Sequence, residues 1–296
     1  MQGLVRIARF ILNHPLTKKH HWRAFIRFFK WQLGCWLHPY PVVYPFIEDS
    51  KLLIEKGMTG ATGNIYVGLH EFTDMAFLLH FMHTDELFVD IGANVGEYTV
   101  LAAAVAKART IAFEPIPATF EKLRNNIFLN RLETRVDAYN IGIGSRPTML
   151  RFTKNLDTVN HVLAEGEVVS DVLQVPVETL DNMLSNQEPT LLKIDVEGFE
   201  QEVLNGAGNI LCLPQLQAII IELNGSGGRY GFNDEAIHQR LLSTGFSSFQ
   251  YEPFSRILLP LEEGGKHGNT IYIKDIEEAK RRVSTARKFT VLGQIL

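Results

Sequence analysis

From residue 86 onward the chain alternates short apolar runs with segments of helical periodicity, and that alternation restricts it to one layered class of fold. The runs cover residues 87–91, 110–113, 134–140, 191–194 and 217–223; the third is mixed, and the others are apolar on both faces. Strands without a polar face belong to a parallel sheet sheathed by helices on both sides. Helical patterns fall at 96–107, at 118–130 behind Pro117, at 199–204 and at 233–244, the last capped by Asn233-Asp234 and Gly245. This order predicts βαβ units and a doubly wound, Rossmann-like α/β sheet. Residues 147–153 and 172–178 read as extra strands between the third and fourth core strands. Residues 246–251 and 270–273, with no crossover helix between them, predict an antiparallel edge pair. Residues 85–275 are thus the sheet domain. Residues 1–84 read as a cap with helices at 6–12, 21–37 and 71–82, broken by Pro39, Pro41 and Pro45, and 276–296 as a helical tail.

With 46% apolar and 21% charged residues the chain can bury a full core, which excludes disorder. Two distant cysteines, Cys35 and Cys212, argue against a disulfide framework or a thiolate metal site and fit a reducing cytoplasm. The formal charge of −4 hides an asymmetry: residues 1–40 hold seven Lys/Arg and no acid, leaving 22 basic against 33 acidic residues, or −11, on the remainder. A body that acidic disfavours nucleic acid as a partner. No apolar run is long enough to span a membrane, and two arginines inside the opening apolar stretch disfavour a signal peptide.

The densest chemical signal is Phe88-Val-Asp-Ile-Gly-Ala-Asn-Val-Gly-Glu-Tyr-Thr99, a buried strand breaking into a Gly-rich turn and re-forming as a helix. Gly92 and Gly96 allow a tight turn and close approach, so that freed N–H groups are expected to face the crevice at the strand's carboxyl end. Two ligands compete for such a cradle. A dinucleotide loop carries a glycine where this one has Asn94. Asp90 would repel a pyrophosphate but attract the ammonium of S-adenosylmethionine. Glu114, ending the second strand, can accept ribose hydroxyls, and Asn140, ending the third, can bond an adenine edge.

Past the fourth strand, Leu192-Lys-Ile-Asp-Val-Glu-Gly-Phe-Glu200 sets Asp195, Glu197 and Glu200 at the same edge, and the fifth strand ends on Glu222. At these motifs the sequence resembles the FkbM family of methyltransferases: FVDIGANVGEYT (88–99), FEP (113–115), VETLD (177–181), LKIDVEGFE (192–200) and IIIELN (219–224) occur in order. The resemblance implies a class I methyltransferase fold, S-adenosylmethionine as donor, and O-methylation of a hydroxyl on a sugar or secondary metabolite. It makes Asp90, Gly92, Asn94 and Gly96 the cofactor loop, Glu114 the ribose ligand, and Asp195, Glu197 and Glu222 the acids beside the transferring methyl.

An alcohol acceptor needs a base, for which Asp195, Glu197, Glu222, His161 and His238 are the candidates, with Asp195 or Glu197 preferred. Asp195 and Glu222 could instead hold Mg²⁺, although the sequence offers no third ligand at convincing spacing. A nicotinamide oxidoreductase and a non-catalytic peripheral-membrane protein are the competing functions. The latter rests on residues 20–36, where Trp22, Phe25, Phe29, Leu33 and Trp36 recur at helical steps among cations. A lid over the acceptor pocket is the preferred role for that helix.

Overall fold

The computed structural model describes residues 2–154, 160–164, 166, 167, 169, 171–261 and 268–296. Two helices, α1 (Gln2–Asn13) and α2 (His21–Leu37), precede a hairpin of β1 (Val42–Pro45) and β2 (Lys51–Ile54), then α3 (Thr59–Val67) and α4 (Phe72–Phe81). The core follows as β3 (Leu87–Ile91), α5 (Glu97–Val100), β4 (Arg109–Phe113), α6 (Pro117–Leu129), β5 (Val136–Tyr139), β6 (Gly142–Ile143), β7 (Thr148–Thr153), β8 (Val172–Glu178) and α7 (Leu180–Met183). It continues with β9 (Pro189–Ile194), α8 (Glu200–Asn205), α9 (Gly208–Cys212), β10 (Ala218–Leu223), α10 (Asp234–Ser243), β11 (Ser247–Glu252), β12 (Ile257–Pro260) and β13 (Gly268–Ile273). After these come α11 (Ile276–Thr285) and the short strands β14 (Thr290–Val291) and β15 (Gln294–Ile295).

The main sheet runs β12-β11-β13-β10-β9-β3-β4-β5, parallel from β10 to β5 and antiparallel beyond. The antiparallel edge thus has three strands where a pair is expected, because β12 folds back on β11. The inserted strands β7 and β8 do not join this sheet; with β6 they form a three-stranded sheet of their own. The expected helix at 96–107 changes pitch midway: α5 continues as a π-helical stretch, Leu101–Val105, in which the Ala106 N–H donates to the Leu101 carbonyl.

Period-two alternation divides the core. Phe88, Leu191, Ala218, Ile220 and Ile271 face a cluster built with α4, α11 and Phe289, whereas Val89, Leu192, Ile194, Ile219 and Ile221 face α8, α9 and α10. Burying each such branched side chain contributes roughly 1.5–3 kcal/mol. From the sequence α4 belongs to the cap and residues 276–296 to a tail, yet both pack into the sheet's own apolar cluster.

The chain leaves β3 toward β4 and β5, then returns to β9 on the other side of β3, so a topological switch lies between β3 and β9. Register does the rest. Phe113, Ile91 and Ile194 are aligned across the sheet, Ile221 is aligned with Ile194 and Tyr139 with Phe113. The next residue on each of five strands is therefore Asn140, Glu114, Gly92, Asp195 and Glu222, one row along the carboxyl edge.

Gly92, at φ 82°, sits so close to β9 that a Cβ would overlap the Asp195 carbonyl oxygen. Gly92→Ala is expected to cost about 2–5 kcal/mol in denaturant unfolding, strain and overpacking combined. Gly245→Ala, at φ 90° but facing open space, is expected to cost only the backbone strain, about 1–2 kcal/mol.

Candidate functional site

Beyond the row of strand ends lies a cavity of about 260 Å³. It is walled by the turn after β3, the end of β4, the turn after β9, Glu222, Ile141–Ile143 and the start of α3. Of the expected site residues, Asp90, Gly92, Asn94, Glu114, Asp195, Glu197 and Glu222 line it. Gly96 acts from behind: at φ 91° it precedes α5, and a Cβ there would lie 2.5 Å from Leu123 of α6. Both glycines are thus demanded by protein packing.

Four of the N–H groups expected to face the crevice, those of Gly92, Ala93, Asn94 and Gly96, are spent internally. Gly92 and Ala93 donate to the Phe113 carbonyl at 3.0 and 2.9 Å, and Gly96 donates to Ala93 at 2.8 Å. Asn94, held at φ 49°, donates its backbone N–H to Glu114 Oε2 at 3.0 Å. Those four are not available to a diphosphate. Ile116 N–H binds the other Glu114 oxygen at 2.9 Å, so two backbone donors orient that carboxylate and leave acceptor capacity toward the cavity. Burial pushes Glu114 up to about 7 and Asp90 up to about 6. Asp90 accepts from the Thr99 hydroxyl at 2.6 Å.

Asn140 departs from expectation. Its amide donates to the carbonyls of Glu114 and Pro115 at 2.8 and 3.0 Å, and it is not among the lining residues. It ties the end of β5 to β4 and is not placed to read a base edge. The histidines depart as well. His161 meets Glu167 at 3.1 Å and lies outside the lining, while His238 is buried on α10 against the Tyr272 hydroxyl at 2.8 Å. Neither is placed to be the base.

The acids after β9 and β10 converge. Single oxygens of Asp195, Glu197 and Glu222 lie within 4.8 Å of one another, so Glu197 adds a third carboxylate to the pair at which Mg²⁺ was considered. The protein also brings its own cation here: Lys193, 2% exposed, places Nζ 2.8 Å from Asp195 and 5.1 Å from the centre of the Tyr98 ring. Burial alone would lower the Lys193 ammonium, but Asp195, Glu71 and Glu222 hold it above its ordinary range. Burial, then Asp195, raises Glu197 to about 7 and Glu222 to about 8. Glu200 lies outside the cavity and accepts the N–H groups of Gly198 and Val196 at 3.0 and 3.3 Å, closing the turn.

Three parts of the wall escaped the sequence. Lys193 was visible as a lone cation inside an apolar strand. Glu71, which accepts from the Tyr98 hydroxyl at 2.6 Å, had no local signal. Nor did the start of α3, whose Met58–Ala61 segment covers the cavity in place of α2. The loop after β10 forms a 3₁₀ turn, Ser226–Tyr230, which packs on Gly198 and sets Tyr230 against Phe199 with ring centroids 5.5 Å apart.

The sequence profile of the methyltransferase FkbM domain matches residues 90–248, more than half of the chain and the segment that carries this site. The chain belongs to the FkbM methyltransferase family. Methyltransferase 1 of Beauveria bassiana is 30% identical over 147 residues, which cover 41% of this chain and 58% of that protein. The hexuronic acid methyltransferase AglP of Haloferax volcanii is 29% identical over 150 residues, 50% of this chain and 59% of its own. The 31-O-demethyl-FK506 methyltransferase FkbM of Streptomyces tacrolimicus is 26% identical over 195 residues, 54% of this chain and 74% of its own. The chain therefore spans less than two thirds of the first two relatives' length. Among solved structures, an rRNA methylase from Streptococcus thermophilus aligns at a TM-score of 0.40 and 14% identity, over 68% of this chain and 93% of that one.

Removing the buried cation isolates its role. Lys193→Met is expected to lower unfolding free energy by about 2–4 kcal/mol, because partly buried Asp195 loses its partner. Tyr98→Phe, which deletes one hydrogen bond to Glu71, is expected to cost about 1–2 kcal/mol by the same denaturation measurement.

Proposed function

We propose that the chain is an S-adenosylmethionine-dependent methyltransferase acting on a neutral hydroxyl of a sugar or secondary metabolite. The observation that carries this reading is the acidic make-up of the cavity wall: seven carboxyl groups, on Glu71, Asp90, Glu97, Glu114, Asp195, Glu197 and Glu222, four of them shifted by burial toward partial protonation near neutral pH, against the single ammonium of Lys193. In a partly dehydrated cavity such a wall attracts a cationic nucleoside and repels a diphosphate. The same acidity, with four of the turn's N–H groups already paired, speaks against a nicotinamide dinucleotide.

The residues fit the donor. Glu114, oriented by two backbone N–H groups, would hold the ribose hydroxyls, and Asp90 would meet the ammonium. Bound there, the sulfonium supplies an activated methyl group. Asp195 is already engaged by Lys193, which leaves Glu222 and Glu197 to take the acceptor's proton. Their acidities, raised toward neutrality, suit a base that works near pH 7. Holding nucleophile and methyl in line, roughly 3 Å apart, is the other part of the rate. The names of two relatives support an oxygen acceptor on a sugar or secondary metabolite, one being a hexuronic acid methyltransferase and one a 31-O-demethyl-FK506 methyltransferase.

Calorimetric titration with S-adenosylhomocysteine is expected to show binding, and NADH none. Glu114→Ala should weaken the former at least about tenfold, or about 1.4 kcal/mol. No heat with S-adenosylhomocysteine would overturn the reading. Because Glu222 and Glu197 act only when deprotonated, methyl transfer to a glycan or polyketide hydroxyl is expected to rise with pH between about 6 and 9. Glu222→Gln should depress the rate and flatten that rise.

A further inference from the structure

We propose that α1 and α2 form a docking surface for an anionic lipid bilayer. α2 has two apolar sides. Ala24 and Phe28 are buried and the helix packs on α3, where Arg27 fixes it by donating to the Ile65 and Tyr66 carbonyls, both at 3.0 Å through Nε. The other side is bare. Trp22, Ile26, Phe29, Leu33, Trp36 and Leu37 are 59, 43, 64, 56, 78 and 66% exposed, and at 3.6 residues per turn they fall within a sector about 100° wide.

This stripe is not the lid expected from sequence, since no α2 residue lines the cavity. Leu4, Val5 and Leu12 of α1 are exposed as well, and the last turn of α1 is tied to α2 by the His21 ring on the Leu12 carbonyl at 3.0 Å. Six exposed cations accompany it, Arg6, Arg9, Lys18, Lys19, Arg23 and Lys30, and the first acid in the chain is Glu48. Aromatics flanked by basic residues, on a helix held flat against the body, match the boundary between headgroups and acyl chains.

Charge selects the occupant. Two copies meeting through this face would bring like cationic charges together, which opposes a symmetric dimer. An anionic bilayer complements the face and repels the rest of the chain, residues 41–296, in which acids outnumber bases by 11, so one orientation is favoured. Among the described residues no helix is long and apolar enough to cross a membrane, consistent with attachment at the surface.

Co-sedimentation of the full chain with vesicles tests this, and needs neither donor nor acceptor. Binding to phosphatidylcholine vesicles containing phosphatidylglycerol is expected to be at least about tenfold tighter than to phosphatidylcholine alone, and to be lost at high salt. The triple variant Trp22→Ser, Phe29→Ser, Trp36→Ser should lose binding at least about tenfold, with circular dichroism unchanged. The pair Arg23→Glu, Lys30→Glu should abolish the preference for anionic vesicles while keeping the stripe. Equal binding to both vesicle types, or a triple variant that binds as wild type, overturns the proposal. So does a wild-type dimer by light scattering that ignores vesicles and becomes monomeric in the triple variant.

Discussion

The close approach of two turns, one leaving β3 and the other leaving β9, is the constraint on which the site depends. The Asp195 N–H donates to the Ile91 carbonyl at 3.0 Å, and Gly92 is bare where the Asp195 carbonyl presses on it. Parallel register then carries that contact sideways, so that Glu114 and Glu222 leave the sheet level with it. A side chain at position 92 would part the two strands at the switch point and spread the acids that now converge.

Convergence has an electrostatic cost that the fold meets only in part. Carboxylates withdrawn from water favour their protonated form, which is why Asp90, Glu114, Glu197 and Glu222 all lie above the usual carboxylate range. Lys193 offsets some of this from within the strand, its ammonium directed to Asp195 and its side chain beside the Tyr98 ring. It also distinguishes the acids: Asp195 is paired with the lysine, and the acidities of Glu197 and Glu222 beyond it lie near neutrality.

Strands β3, β4, β9 and β10 were legible because they are buried on both faces and are therefore largely apolar, and their carboxyl ends were legible because acids and glycines interrupt those runs. The glycine-rich turn was legible as a turn, but its donors were not, since whether an N–H faces solvent or Phe113 depends on a neighbouring strand. Asn140 illustrates the same limit: an amide at a strand end suits a base edge equally well, and here it bonds β4. Helix α3 carried no amphipathic signal because it is buried over most of its surface, so the true cover of the cavity went unseen. The aromatic helix drew attention instead.

What the sequence determined by itself was local: strand and helix periodicity, the position of the turn, and the identity of the acids at strand ends, all of which follow from neighbours in the chain. Which acids meet, which of them a lysine holds, and which face of α2 is left bare were decided by tertiary structure. The reason is that hydrogen-bond partners, burial and charge proximity are set by strand order and helix packing, and those bring together residues as far apart as Glu71 and Lys193.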